Sequence, residues 1–485
     1  MPLQFNLNHP ISTKDIQPHK WILTYQEFRT INALYNLAWL PYEPRVAWSG
    51  VVVNGEKNIL FVFGDSVIDS GTNNYIQTTK AHQANYVPYG IDMRPGASGR
   101  FSNGFVMTDY IAKKAKIPLI RPYLEPHADH SYGANFASGG AGVLNETNLG
   151  EVVSMYMQIE QFKAFKKNFT ANLDQSEAHE LIKNAVYFIS VGINDYKVFI
   201  NNYSALIADY NPATYVRAVV GNLTFEIMDL YDLGARKFVV TMPKNIGCSP
   251  AMRALHGGNC LPLGTELSEA NNYLTEASLT VLEESSFHIK FIFFDQIVFM
   301  KPRTTNPQSY GFKHGSKACC GSGSFRGSFT CGEKVCGQKF SLCYNRSAYI
   351  YFDAYHCTQD LNIQAANALW EYNEPAVKPF PLGDFFNVIN EKKGEENRAS
   401  IPLLKEHLNS KISQMVQKME KEGKFGSMVG RASSRKEYNS PGDKGLQKLC
   451  YKLHFSWRQR SSETLLQATF LLETKVFRDT LLQAN

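Results

Sequence analysis

The sequence predicts an α/β fold, a three-layer α/β/α sandwich built on a central parallel sheet. Three observations carry that expectation. Between residues 58 and 372, short apolar runs of strand length alternate with helical patterns of ten residues or more. A helix between successive strands makes them parallel neighbours and covers both faces of the sheet. Polar, glycine-containing segments follow three of the apolar runs, and open parallel sheets place their sites beyond the carboxyl ends of their strands.

Taken in order, "NILFVF" (58–63) is a buried strand and "GFVMTDYIAKKAKI" (104–117) a helix. "GANFA" (133–137) reads as a short strand, followed by the amphipathic helix "SMYMQIEQFKAFKKNF" (154–169) and the strand "AVYFIS" (185–190). A helical pattern over 213–233 stops at Gly234, the residue type that best adopts the left-handed conformation after a helix end. The next strand is 237–241, then come the helix "LSEANNYLTEASLTVLEE" (267–284) and the strand "IKFIFF" (289–294). "QDLNIQAANALWEY" (359–372) is a helix suited to the closing layer. Ser66 thus follows the first strand, "SGGAG" (138–142) the second and "VGINDY" (191–196) the third, so all three gather at one sheet edge.

The chain has 485 residues, 44% of them hydrophobic and 13% aromatic, enough for a large packed core. No run approaches the 18 apolar residues or so that a transmembrane helix needs. The net charge of +6 is uneven. Residues 376–485 hold 19 Lys and Arg against 12 Asp and Glu, while the rest of the chain holds 31 against 32. The near-neutral body lacks the electrostatic footprint of a nucleic-acid binder. Three regions are expected: an N-terminal extension over 1–57, the α/β domain over 58–375 and a basic extension over 376–485, mobile or loosely helical. Within the last, "IPLLKEHLNSKISQMVQKMEKEG" (401–423) places Leu404, Leu408, Ile412, Val416 and Met419 on one helical face.

Five of the nine cysteines fall between Cys319 and Cys343. Their spacing suits disulfides better than paired zinc knuckles, and disulfides imply an oxidising compartment. Cys319 and Cys320 are expected to bond to different partners, since bridging adjacent residues is strained. Cys357 and Cys450 are the candidates for free thiols. Asn-x-Ser/Thr sequons begin at Asn145, Asn168, Asn202, Asn222 and Asn345 and point weakly the same way. No secretory signal is visible in the opening residues.

Acyl transfer from an ester needs a nucleophile, a base, a group to orient the base, and donors for the oxyanion. Ser66 in "FVFGDSVIDSGTNN" (61–74) can be that nucleophile or a plain helix cap. In "YFDAYHCTQD" (351–360), Asp353 stands three residues before His356. That spacing lets the carboxylate reach Nδ1 and leaves Nε2 for a serine, although a capping Asp reads alike. Asn194 can offer an amide N–H, or close an Asx turn. Gly140 can offer a backbone N–H, or serve as a turn glycine.

The set resembles the plant GDSL esterase/lipase family of the SGNH hydrolase superfamily, from roughly Asn58 to Trp370. The resemblance rests on "FVFGDSVIDSGTNNY", "VPYGIDM", "GRFSNGFVMTDYIA", "GANFASGGAGVL", "VGINDY", "LYDLGARKFVV", "ACCGSGSF" and "DAYHCT". It implies a flavodoxin-like fold and a secreted ester hydrolase that needs no metal or organic cofactor. By that resemblance Ser66 is the nucleophile, His356 the base and Asp353 its orienter, with Ser66, Gly140 and Asn194 forming the oxyanion hole. The substrate is then a small-molecule or lipid ester. Acyl transfer to an alcohol by the same residues is the alternative reaction, and a non-catalytic extracellular binding glycoprotein the alternative class. Three departures stand out: Val67 in place of Leu, Cys357 in place of the usual proline after the histidine, and "TMPKNIGCSP" (241–250) as a looser form of a proline-rich stretch.

Overall fold

A computed structural model describes residues 57–386, except 95, 172, 203–210, 287 and 334–338, together with 401–423, where side chains are described from 408 onward. The expected N-terminal extension, Cys336, Cys450, the side chain of Leu404 and the tail after 423 lie outside the described residues.

The main elements are β1 (Leu60–Gly64), α1 (Met107–Lys114), α2 (Met155–Phe169), α3 (Gln175–Asn184), β2 (Val186–Ser190), α4 (Ile193–Asn201), α5 (Pro212–Asp232) and β3 (Lys237–Met242). They continue with α6 (Pro250–Leu255), α7 (Pro262–Ser285), β4 (Lys290–Asp295), α8 (Gln296–Thr305), β5 (His314–Ala318), β6 (Cys320–Gly321), β7 (Ser341–Leu342) and β8 (Tyr349–Tyr351). α9 (Gln359–Glu371), β9 (Val377–Lys378) and α10 (Ile401–Lys421) follow. Local chemistry sets the helix ends. Asn211 accepts from Thr214 N–H at 2.8 Å at the start of α5, with Pro212 in its first turn. Ser154 caps α2.

β1 to β4 lie side by side in sequence order and pair in parallel, and β9 closes the sheet antiparallel to β4. Residues 133–137, expected as a strand, form only isolated parallel bridges at Asn135. They still run beside β1: Val62 N–H donates to Ala134 O at 3.0 Å and Phe136 N–H to Val62 O at 2.8 Å. With that segment counted, the sheet has the doubly wound order in which the chain switches sides next to β1.

Alternation along each strand builds the three layers. Phe61, Phe63, Tyr187, Ile189, Phe238, Val240, Phe291 and Phe293 face one core, with α2, α5 and α7 supplying Phe162, Val219 and Leu274. Leu60, Val62, Phe188, Val239 and Ile292 face the other, against Ile111 of α1, Phe299 of α8 and Leu361 of α9.

The folded body does not stop at 375. Val377 pairs with Phe294, and Leu382, Phe385 and Phe386 are buried in the second core. Leu408, Val416 and Met419 of α10 belong to the first core, and Ile412 beside them is also buried. The expected loose appendage is thus corrected over 376–386 and 401–423. A two-residue strand has no readable period, and an amphipathic face does not reveal its partner.

Candidate active site

At the end of β1 the chain turns sharply. Gly64 has φ 150°, and a Cβ there would stand 2.0 Å from Ser190 O, so only glycine lets β1 leave the sheet this close to β2. Gln158 clamps both polar groups of Gly64, accepting from its N–H and donating to its carbonyl, each at 2.8 Å. Asp65 Oδ1 accepts from Val67 N–H at 3.0 Å, which shapes the turn that lifts Ser66 to the sheet edge.

Two neighbouring loops are tied to that turn through buried side chains. Asp69 accepts from the N–H groups of Gly71 at 2.7 Å and Thr72 at 2.8 Å with one oxygen, and from Gly139 N–H at 2.8 Å with the other. Asn73 donates to Gly139 O at 2.8 Å. Gly140 sits at φ 91° with the His82 ring against it, 2.5 Å from where a Cβ would stand. His82 Nδ1 in turn lies 2.9 Å from Glu151. Across the turn, Asn194 opens α4, and its amide donates to Ala141 O at 2.9 Å. Asp195 accepts from Val143 N–H, Leu144 N–H and the Thr147 hydroxyl, which fastens α4 to the glycine loop. Neither Ser66 N–H nor Gly140 N–H donates to any acceptor among the described residues.

Asp353 and His356 occupy the turn between β8 and α9. Asp353 Oδ1 accepts from the N–H groups of Tyr355 at 2.8 Å and His356 at 2.7 Å. His356 Nδ1 lies 2.9 and 2.8 Å from the two carboxylate oxygens, and Tyr89 Oη donates to Oδ2 at 2.7 Å. His356 Nε2 lies 2.8 Å from Ser66 Oγ. Phe101 packs on the imidazole, with ring centroids 4.7 Å apart. All five residues singled out in the sequence therefore meet at one edge, four of them buried side chains.

The electrostatics of the two halves differ. Burial drives Asp353 up, but facing His356, the backbone N–H of Tyr355 and the Tyr89 hydroxyl outweigh it and hold the carboxyl well below its usual range. Burial pushes Asp65 up to about 7, against the Val67 N–H and the nearby charge of Lys244. It pushes Asp69 and Asp195 up to about 6 despite their hydrogen bonds.

Sequence reasoning missed Gln158, Asp69, Asn73, Asp195 and Tyr89. Four of them stand inside stretches already singled out, so polar residues inside a loop motif were the usable signal. Gln158 carried none, being one polar residue on an amphipathic helix. Val67 is only half-buried and lines the cleft.

Two adjoining clefts open here. The first holds Ser66, Gly140, Asn194 and His356 together with His82, Lys197 and Tyr355. The second is walled by Met107, Phe294, Phe299, Met300 and Leu361. Val67, Phe101, Lys244 and His356 line both. Beside the turn that carries His356, the loop over 319–343 is stapled by Cys319–Cys343 and Cys320–Cys331, so the adjacent cysteines do take different partners. A third bridge, Cys248–Cys260, was not expected. Cys357 carries a free thiol.

Comparison with known proteins gives one consistent answer. Residues 60–369 match the family model for GDSL-like lipase/acylhydrolase. GDSL esterase/lipase 5 of Arabidopsis thaliana is 38% identical over 69% of this chain and 89% of its own length. A GDSL lipase of Tanacetum cinerariifolium is 37% identical over 70% and 90%, and GDSL esterase/lipase 1 of Arabidopsis thaliana 36% identical over 68% and 91%. A match from β1 into α9, joined to relatives aligned over about nine-tenths of their length, makes this chain a member of the GDSL-like lipase/acylhydrolase family.

Proposed function

We propose that the chain hydrolyses carboxylic esters through an acyl-enzyme on Ser66. The observation that carries this is the unbroken relay from Ser66 Oγ to His356 Nε2, 2.8 Å, and from Nδ1 to Asp353, 2.8 Å. His356 takes the serine proton as Oγ attacks the ester carbonyl, and Asp353 keeps the imidazole in the tautomer that can accept it. The carbonyl oxygen becomes an oxyanion. Ser66 N–H, Gly140 N–H and the second amide proton of Asn194 are available to it, the first being taken by Ala141 O. His356 then protonates the departing alcohol, and a water activated by the same nitrogen releases the acid. Membership of a family whose relatives are named esterases and lipases supports the same chemistry.

Three disulfides in the body support folding in an oxidising compartment, and with it secretion. Among the described residues no helix is long and apolar enough to cross a membrane. Small-molecule or lipid esters are the proposed substrates. The test is hydrolysis of p-nitrophenyl esters of graded acyl length by wild type and Ser66→Ala. Loss of several orders of magnitude in the variant, with an unchanged thermal midpoint, is expected. Wild-type turnover by Ser66→Ala would sink the assignment.

A further inference from the structure

Lys244 is 4% exposed, yet its ammonium has a single hydrogen-bond partner among the described residues, the Cys357 thiol at 3.9 Å. Burial pushes that thiol up, so it stays neutral and does not balance the cation. Asp65 feels the charge of Lys244, but no hydrogen bond joins them, and its Oδ1 serves Val67 N–H. A buried ammonium without hydrogen-bonded anions is costly. Lys244 also stands in the stretch where this chain departs from the proline-rich pattern expected there. It lines both clefts at their shared wall, next to His356.

Its place in the wall of the second cleft brings it to one half of an ester. The leaving oxygen must take its proton from His356 Nε2, so the alcohol half lies on the histidine side, away from the oxyanion donors. The second cleft begins at His356 and Cys357 and has apolar walls of Phe294, Phe299, Met300 and Leu361.

We propose that the second cleft receives the alcohol half of the substrate and that Lys244 selects alcohols bearing an anionic group, a carboxylate or a phosphate. The inference rests on the ester-hydrolase reading and names its substrate class. The reaction stays balanced: Ser66 Oγ gains the acyl group, the C–O bond to the alcohol breaks, and the anionic alcohol leaves with the proton from His356. Water then releases the acid.

The test compares three acetyl esters: 4-acetoxybenzoate, its methyl ester and 4-acetoxyphenyl phosphate. Each is assayed with wild type, Lys244→Met, Lys244→Gln and Lys244→Arg. Ratios of kcat/KM between esters, compared across variants, cancel their differences in intrinsic reactivity. The preference for the anionic esters is expected to fall at least tenfold in the Met and Gln variants and to persist in Arg. Preference for the carboxylate or for the phosphate ester tells the two sources apart. Binding is read independently as protection of Ser66 from an organophosphonate by 4-hydroxybenzoate, which should weaken in Lys244→Met and Lys244→Gln. Equal ratios and equal protection in wild type and either neutral variant overturn the proposal. Failure of wild type to hydrolyse any ester or to label at Ser66 sinks the hydrolase reading, and this proposal with it.

Discussion

On the Ser66 side of the cleft, the loops after β1, 133–137 and β2 are held by buried polar side chains: Asp69 to Gly139, Asn73 to Gly139, Asp195 to Val143, Leu144 and Thr147. On the other side, the turn carrying His356 leans on a covalent framework. Cys319 and Cys320, each in a disulfide, donate their N–H groups to Tyr351 O and Phe352 O, just before Asp353. The first side is held by directional bonds that break one at a time, the second by a staple that limits the unfolded chain. The clamp fixes the backbone around Gly139, Gly140 and Asn194. The staple holds a long excursion of chain against the body. Mutations on the two sides should therefore separate activity from stability.

The largest effect is expected from Asp353→Asn. The side chain keeps its size but no longer favours the reactive tautomer of His356, and kcat should fall by about 10⁴ with little change in KM. A loss below about tenfold would remove Asp353 from its orienting role. Next, Gly140→Ala drives a Cβ to 2.5 Å from the His82 ring at a φ that side chains rarely adopt. Asn194→Ala removes an amide donor without such strain. Both should lower kcat by about 10²–10³, with Gly140→Ala also lowering the thermal midpoint. A rise in KM at constant kcat for Asn194→Ala would reassign that residue to substrate binding.

Replacing Cys319 and Cys343 with serine sharpens the contrast from the other side. The loop they close has a sequence separation of 24, so a loss of about 3 kcal/mol in stability is expected in denaturant titration. Activity at low temperature should survive, and an activity loss matching that of Asn194→Ala would erase the distinction between clamp and staple. Leu408→Ala removes a fully buried side chain of α10 from the first core, far along the chain from the site. About 2–3 kcal/mol of stability should go, with kcat/KM within twofold. No change in midpoint would return α10 to the loose appendage that composition suggested.

The last prediction is a pH slope. Asp65 ionises near 3.8 when unfolded and near 7 when folded. Between those values the folded state keeps a proton that the unfolded state has lost, so stability falls as pH rises through that window. Asp353 has the opposite sign: its depressed value adds stability above about 3.8 that disappears as pH falls further. Asp65→Asn should therefore raise the thermal midpoint relative to wild type more at pH 7.5 than at pH 4.5, with a limiting slope near 1.4 kcal/mol per unit. A constant offset across that range would show that Asp65 does not titrate there.

The strands of the main sheet were legible because their apolar runs are local and continuous, as in Leu60–Gly64 and Val186–Ser190. The site residues were legible because their motifs follow strand ends or fall in a turn. Residues 133–137 were harder, since whether an extended stretch counts as a strand depends on how far its neighbour follows it. Val377–Lys378 left no trace, because a two-residue strand exists only through its pairing with β4. The face of α10 was visible, but not that α5 and α7 receive it.

By itself the sequence determined the alternation that makes a doubly wound sheet, the places where polar loops follow strands, and the residue types able to run ester chemistry. These depend on periodicity and spacing over a few residues. Tertiary structure decided that Ser66 and His356, 290 positions apart, stand 2.8 Å from each other, and that Tyr89 reaches Asp353 across 264 positions. It also decided that Lys244 is buried with the Cys357 thiol for company. Contacts of that range carry no local signature, because each is set by how whole layers pack and not by the residues on either side of it.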